Sequence, residues 1–379
     1  VADAGGEERA RAAVAGAERF LNAWHGTPRA RERLVALAGG VDEAERGDRY
    51  GEGERIERLE RRIAELLGKE AAVFMPSGTM AQQIALRIWC DRRGLRTVAF
   101  HPTCHLELHE EKGYERLHGL HATLVGDPNR LVTLTDLERL REPVAALLLE
   151  LPQREIGGLL PAWDDLVAQA AWARAHGVAL HLDGARLWEA QPFYARPHAD
   201  VAGLFDSVYV SFYKGLGGMA GAALAGDAEL VSEARVWQRR HGGTLVTMYP
   251  YVIAAERALD ERLERMSVHL DHARALAAAL TTLDGVEVVP DPPQTPLFHL
   301  VLRGEHERLV EAALSVAEER KVFLFAEPSS TVSPHWQRHE VMVGEVTLQL
   351  EPDEVRELYQ EILARAAAPP RRRRGRATG

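Results

Sequence analysis

Five short, almost unbroken apolar runs punctuate the chain: AAVFM (71–75), TVAF (97–100), VAALLLE (144–150), VALHL (178–182) and SVYVSF (207–212). None alternates strictly between apolar and polar residues, as a strand with one wet face would. A strand that is apolar on both sides must be covered on both sides. Helix-length segments between the runs supply the cover, which predicts a largely parallel sheet between helical layers. Residues 54–67 show the helical pattern best. Ile56, Leu59, Ile63, Leu66 and Leu67 share one face, Glu54/Arg58 and Glu57/Arg61 sit four apart, and Gly68 suits the C-cap. Further helices are expected at 79–90 and 163–176. After residue 228 a long helical stretch to about 284, interrupted near Gly242-Gly243, leads into strands at 285–289, 298–302, 321–325 and 341–350 and helices at 305–319 and 352–367.

The 379 residues suit two domains, and 46% hydrophobic with 27% charged residues is a globular composition. The net charge of −10 argues against a nucleic-acid partner. The chain body is more acidic than that figure, because Arg371, Arg372, Arg373, Arg374 and Arg376 are gathered near the C-terminus. Cys90 and Cys104 alone cannot form a disulfide framework or a cysteine-rich zinc module. The acidic N-terminal stretch lacks a signal peptide's apolar segment, and the longest apolar run is far short of the ~20 residues that span a bilayer. A cytoplasmic protein without membrane partners is expected. His101, His105 and His109 recur every four residues. Pro102 interrupts the helix that would align them, so no metal site is expected.

Three segments fall just past predicted strands, where an open α/β sheet binds ligands. In Pro76-Ser77-Gly78-Thr79 a helix begins, and its free N–H groups suit a phosphate, or are simply capped by Ser77 or Thr79. Asp183 follows a buried strand and requires a cation or donor, Arg186 being one choice. Lys214 follows another, beside Gly215-Leu216-Gly217-Gly218, where desolvation would free its amine for Schiff-base chemistry. A lysine, an upstream aspartate and a phosphate cup are together what pyridoxal 5'-phosphate requires.

The chain here resembles the threonine aldolase/β-eliminating lyase family of fold-type I pyridoxal-phosphate enzymes. The likeness rests on YGEG (50–53), LGKEAAVFMPSGTMAQQIAL (67–86), HLELHE (105–110), EIGGLLP (155–161), HLDGARLWEA (181–190) and YKGLGG (213–218). It implies an aspartate-aminotransferase-like α/β fold, with a three-layer αβα large domain and a smaller C-terminal α/β domain. The expected divisions are a helical arm at 1–45, a cofactor-binding domain at 46–270, a small domain at 271–368 and a disordered arginine-rich tail at 369–379. By the same resemblance Lys214 would carry the cofactor, Asp183 would pair with its ring nitrogen, and Ser77, Gly78 and Thr79 would hold its phosphate. His105 would stack on the ring, and Arg186 would bind the substrate carboxylate or the cofactor. Tyr50 and Gly51 would line the substrate side, within a homodimer or homotetramer that shares its sites. Gly242-Gly243-Thr244 is either a plain turn or part of a neighbouring subunit's phosphate cup.

The substrate side departs from the family pattern. Residues 1–49 lack the family's Arg-Ser-Asp-Thr run, and the stretch 341–347 lacks its arginine. Gln153 stands where the family carries a histidine, and an amide cannot take a proton from a substrate hydroxyl. Arg154 is expected to take over the carboxylate. Retro-aldol cleavage of a β-hydroxy-α-amino acid is the expected reaction. β-Elimination, racemisation, decarboxylation and binding without catalysis are the alternatives.

Overall fold

The computed structural model describes residues 4–23, 25–26 and 29–368; the arginine-rich tail expected at 369–379 lies outside them. The chain divides into two compact units. One comprises Thr27–Asp271 with Gln294–Leu297, the other Val1–Gly26, His272–Pro293 and Phe298–Gly379.

The first unit is built on seven strands: β1 (Ala71–Met75), β2 (Thr97–Phe100), β3 (His121–Leu124), β4 (Ala146–Glu150), β5 (Ala179–Gly184), β6 (Ser207–Ser211) and β7 (Ala222–Gly226), in the order β1-β7-β6-β5-β4-β2-β3. Neighbours from β6 through β3 run parallel, whereas β7 is antiparallel to both β1 and β6. The sheet is therefore not wholly parallel. A parallel successor to β6 would need a crossover helix, and the short glycine-rich segment between β6 and β7 allows only a direct return. Gly221 makes that return at φ +103, and a Cβ there would strike the Phe74 ring. Strand β3 has an exposed, polar pattern and was not anticipated from the sequence.

Both faces of the sheet are buried. On β4, Leu147 and Leu149 join one core with Ile56, Ile63 and Leu67. Leu148, between them, joins the other with Ile84, Ile88 and Phe100. Helix α1 (Glu54–Leu67) lays its apolar face in the first core and ends at Gly68 with φ 60. Helix α2 (Gly78–Arg93) lines the second, and Ser77 caps it by accepting from the Met80 N–H at 3.2 Å.

The second unit holds a four-stranded sheet, ordered Ser329–Ser330, Trp336–Met342, Leu297–Arg303, Val286–Val289, with helices His306–Arg320 and Pro352–Ala367 around a core that includes Leu309 and Tyr359. The strand expected at 341–350 instead occupies Trp336–Met342 and stops before Gly344, whose N–H donates to the Thr347 hydroxyl at 3.1 Å in a short turn. The arm expected at 1–45 is also divided. Its first part belongs to this unit, where Arg19–Phe20 pairs in parallel with Val322–Phe323 and Arg9 bonds Glu318 at 2.7 Å. Residues from 27 onward belong to the first unit.

Candidate active site

The carboxyl ends of β4, β5 and β6 bring three residues distant in sequence to one cleft. Glu150 ends β4 in register with Asp183 of β5, and Asp183 is in register with Tyr209 of β6. Lys214 arrives from the glycine-rich return after β6. The first turn of α2 supplies Gly78 and Thr79. The cleft is lined by these residues with Gln82, His105, Glu110, Ala185, Arg186 and Tyr213.

Six of the residues expected from the sequence thus meet: Gly78, Thr79, His105, Asp183, Arg186 and Lys214. Ser77 sits one residue outside, engaged as the helix cap. Gly78 must be glycine, because a Cβ there would collide with the Tyr209 hydroxyl. The amine of Lys214 is desolvated. Burial lowers its pKa, the guanidinium of Arg186 adds to that, and Asp183 and Glu150 oppose it. Asp183 is buried and accepts from the Gln82 amide at 2.5 Å and from the Ala185 N–H at 3.1 Å. Arg186 is buried too, and its Nε has no hydrogen-bond partner.

Two carboxylates in the cleft were not singled out from the sequence. The buried Glu110 side chain binds His105 Nδ1 at 3.1 Å and accepts from Gln83 at 3.0 Å, which fixes the imidazole and leaves its Nε2 for a ligand. Glu150 accepts from the Arg154 N–H at 3.2 Å and the Gln153 amide at 3.1 Å. Burial, and then the charge of Asp183, push its pKa well above the carboxylate range. Glu110 could have been found from HLELHE, where it stands five residues after His105.

The other expected residues do not line the cleft. Gln153 is buried, with its amide donating to Thr103 and Glu150, so it acts on Glu150 rather than lining the cleft. Arg154 follows it; its guanidinium lies 3.2 Å from Glu155, and its charge reaches Lys214, whose pKa it helps to lower. Tyr50 and Gly51 are not among the cleft's lining residues. Tyr50 is exposed, in an open groove with Arg49, Glu52, Arg239 and Thr244. His101 is held by Thr103 and by the Asp127 and Arg130 carbonyls. Among the described residues no three His, Cys, Asp or Glu side chains are grouped to hold a metal.

Comparison with known proteins gives a consistent picture. The family model for beta-eliminating lyases matches residues 25–302. A low-specificity L-threonine aldolase of Arabidopsis thaliana is 28% identical over 285 residues, 73% of this chain and 79% of that one. A Listeria monocytogenes crystal structure, provisionally described as an L-allo-threonine aldolase, is 39% identical with a TM-score of 0.91, covering 95% of this chain and 99% of its own. A structure from Exiguobacterium, provisionally described as an aromatic amino acid beta-eliminating lyase/threonine aldolase, is 40% identical with a TM-score of 0.89, covering 94% and 99%.

Proposed function

This chain belongs to the beta-eliminating lyase family of fold-type I pyridoxal-phosphate enzymes, and on that footing we propose that it cleaves a β-hydroxy-α-amino acid, by a retro-aldol reaction, to glycine and an aldehyde. The threonine aldolase names of its relatives support the reaction. The observation that carries the reading is the meeting of Lys214, Asp183 and the Gly78–Thr79 helix start around one buried cleft.

The residues fit the cofactor. The cleft offers a desolvated amine, a buried carboxylate, the opening turn of a 16-residue helix and a buried guanidinium whose Nε makes no hydrogen bond and lies 3.9 Å from Glu189. When bound, pyridoxal phosphate supplies an electron sink that weakens the bonds at the α-carbon of an attached amino acid. Lys214 would hold the cofactor and, once displaced by the substrate amine, deliver the proton that the α-carbon gains when its bond to the β-carbon breaks. Its lowered pKa keeps a larger share of the amine neutral to hold the cofactor, and the same shift eases release of the proton once the amine is protonated. Asp183 would hold the proton on the ring nitrogen. The N–H groups of Gly78 and Thr79 would bind the phosphate at the positive end of α2. His105, braced by Glu110, would lie against the ring and is the imidazole available to the substrate's β-hydroxyl.

Arg186 would hold the substrate carboxylate, with Arg154 as a second anchor. The position of that carboxylate decides which α-carbon bond is aligned to break. A second copy of the chain would complete the site by bringing to the substrate Tyr50 and Gly51, which do not line the cleft of their own chain. Two free buried cysteines suit a cytoplasmic setting, and no helix among the described residues is long and apolar enough to cross a membrane. The purified protein should take up pyridoxal phosphate and turn yellow. Borohydride should bleach the colour and leave the cofactor's mass on the Lys214 peptide. A protein that takes up no cofactor, or carries it on another lysine, defeats the proposal.

A further inference from the structure

Behind Asp183 lies a buried polar chain that neither the sequence motifs nor the functional reading uses. It starts at Trp89, whose indole N–H donates to the Ser207 hydroxyl at 2.8 Å. That hydroxyl lies 2.8 Å from His181 Nδ1. His181 Nε2 lies 3.2 Å from the Gln82 carbonyl oxygen, and the Gln82 amide donates to Asp183 at 2.5 Å. All five side chains are buried, His181 and Ser207 completely.

The geometry follows from the elements. Gln82 and Trp89 are seven residues apart on one face of α2, His181 and Asp183 two apart on one face of β5, and Ser207 is in register with His181 across β5 and β6. The direction is set from the carboxylate end. An Asp183 anion can only accept, so Gln82 turns its NH2 to it and its carbonyl oxygen to His181 Nε2. That nitrogen then carries the proton of a neutral imidazole, and Nδ1 accepts from the Ser207 hydroxyl, whose oxygen accepts from the indole N–H. Burial holds His181 neutral, with its pKa lowered to about 3, so the direction does not reverse on protonation. Apolar side chains would fill this interior at lower cost, because each buried polar group must be fully bonded to be tolerated. A polar chain that ends on the one carboxylate of the cleft expected to touch the cofactor ring calls for a functional reason.

We propose that Trp89, Ser207, His181 and Gln82 form a one-way hydrogen-bond relay that orients Asp183 and holds it as an anion toward the cofactor's ring nitrogen, with Gln82 and His181 as positioning residues. The inference rests on the pyridoxal-phosphate reading above. It gives His181 a role that the HLDGAR stretch did not suggest, and it makes the amide at position 82, rather than a second charge, the partner of Asp183.

The test compares pyridoxal phosphate binding and the visible absorption of the bound cofactor in wild type, Gln82→Leu, His181→Phe and His181→Gln. Glutamine at 181 keeps an N–H at the place of Nε2, and phenylalanine does not. Gln82→Leu and His181→Phe should bind the cofactor about tenfold or more weakly, the scale of a hydrogen bond to a charged group. They should also show an altered absorption band, while His181→Gln restores most of both. A purely structural role would lower the melting temperature without moving the absorption band of the cofactor still bound. Equal affinity and an unchanged band in folded Gln82→Leu overturn the relay while leaving the functional reading intact. A wild type that takes up no pyridoxal phosphate overturns both. Nitrogen-15 NMR of histidine-labelled wild-type holoprotein needs no destabilising variant. The resonances assigned to His181 should show a neutral ring protonated at Nε2, and a proton on Nδ1 contradicts the relay.

Discussion

Glu150 and Asp183 end adjacent strands in register, and their neighbourhoods separate their roles. Asp183 is served by the Gln82 amide and the Ala185 N–H, whereas burial dominates at Glu150. A carboxyl whose pKa is raised on folding binds a proton in the folded state that the unfolded chain has already lost. Between the ordinary value of 4.5 and the raised one, stability therefore falls as pH rises. Glu150→Gln should remove this dependence. The cofactor-free variant should melt a few degrees above wild type at alkaline pH, an effect of about 1 kcal/mol, and lose the advantage in acid. An advantage that grows toward acid contradicts the assignment. Arg154 tests the substrate side. Arg154→Met should raise KM for the amino acid about tenfold or more while changing kcat less, and an unchanged KM removes Arg154 from carboxylate binding.

At the scale of elements, the return between β6 and β7 decides where Lys214 sits. The Gly218 N–H donates to the Phe212 carbonyl at 2.7 Å, and the Gly217 N–H to the Lys214 carbonyl at 2.7 Å. Gly221→Ala would force a side chain into a left-handed backbone conformation and against Phe74. It should cost about 2–4 kcal/mol in denaturant unfolding and weaken cofactor retention, and wild-type values for both contradict the role given to this turn. Much of this level was legible in the sequence. The apolar runs at 71–75, 144–150 and 207–212 show their burial on both faces directly, and residues after such strands are where ligands gather. Strand β3 was not legible, because an exposed edge strand has no apolar signature. The direction of β7 followed from the length of a connection rather than from any residue. The relay behind Asp183 needed the order of the strands and the helix above them, since nothing in QQIAL or VALHL says that positions 82 and 181 meet.

For the whole molecule, the sequence pattern separated a large and a small unit but misjudged the first residues, which belong with the chain's last hundred or so. An edge strand of two residues, Arg19–Phe20, carries too little periodicity to announce its partner at Val322–Phe323. The groove around Tyr50 shares no lining residue with the Lys214 cleft, and in the proposed dimer it would belong to the site of a second copy. Co-expression of Lys214→Ala with Tyr50→Ala should then recover about a quarter of wild-type activity, because half of the dimers are hybrids with one intact site. Recovery no greater than the sum of the separate variants contradicts shared sites. The most direct test of the central claim is the product itself. With pyridoxal phosphate and a β-hydroxy-α-amino acid such as threonine, the protein should release glycine and the matching aldehyde in equal amounts, and Lys214→Ala should release neither. Ammonia with a keto acid, or no product from any β-hydroxy amino acid, would contradict it.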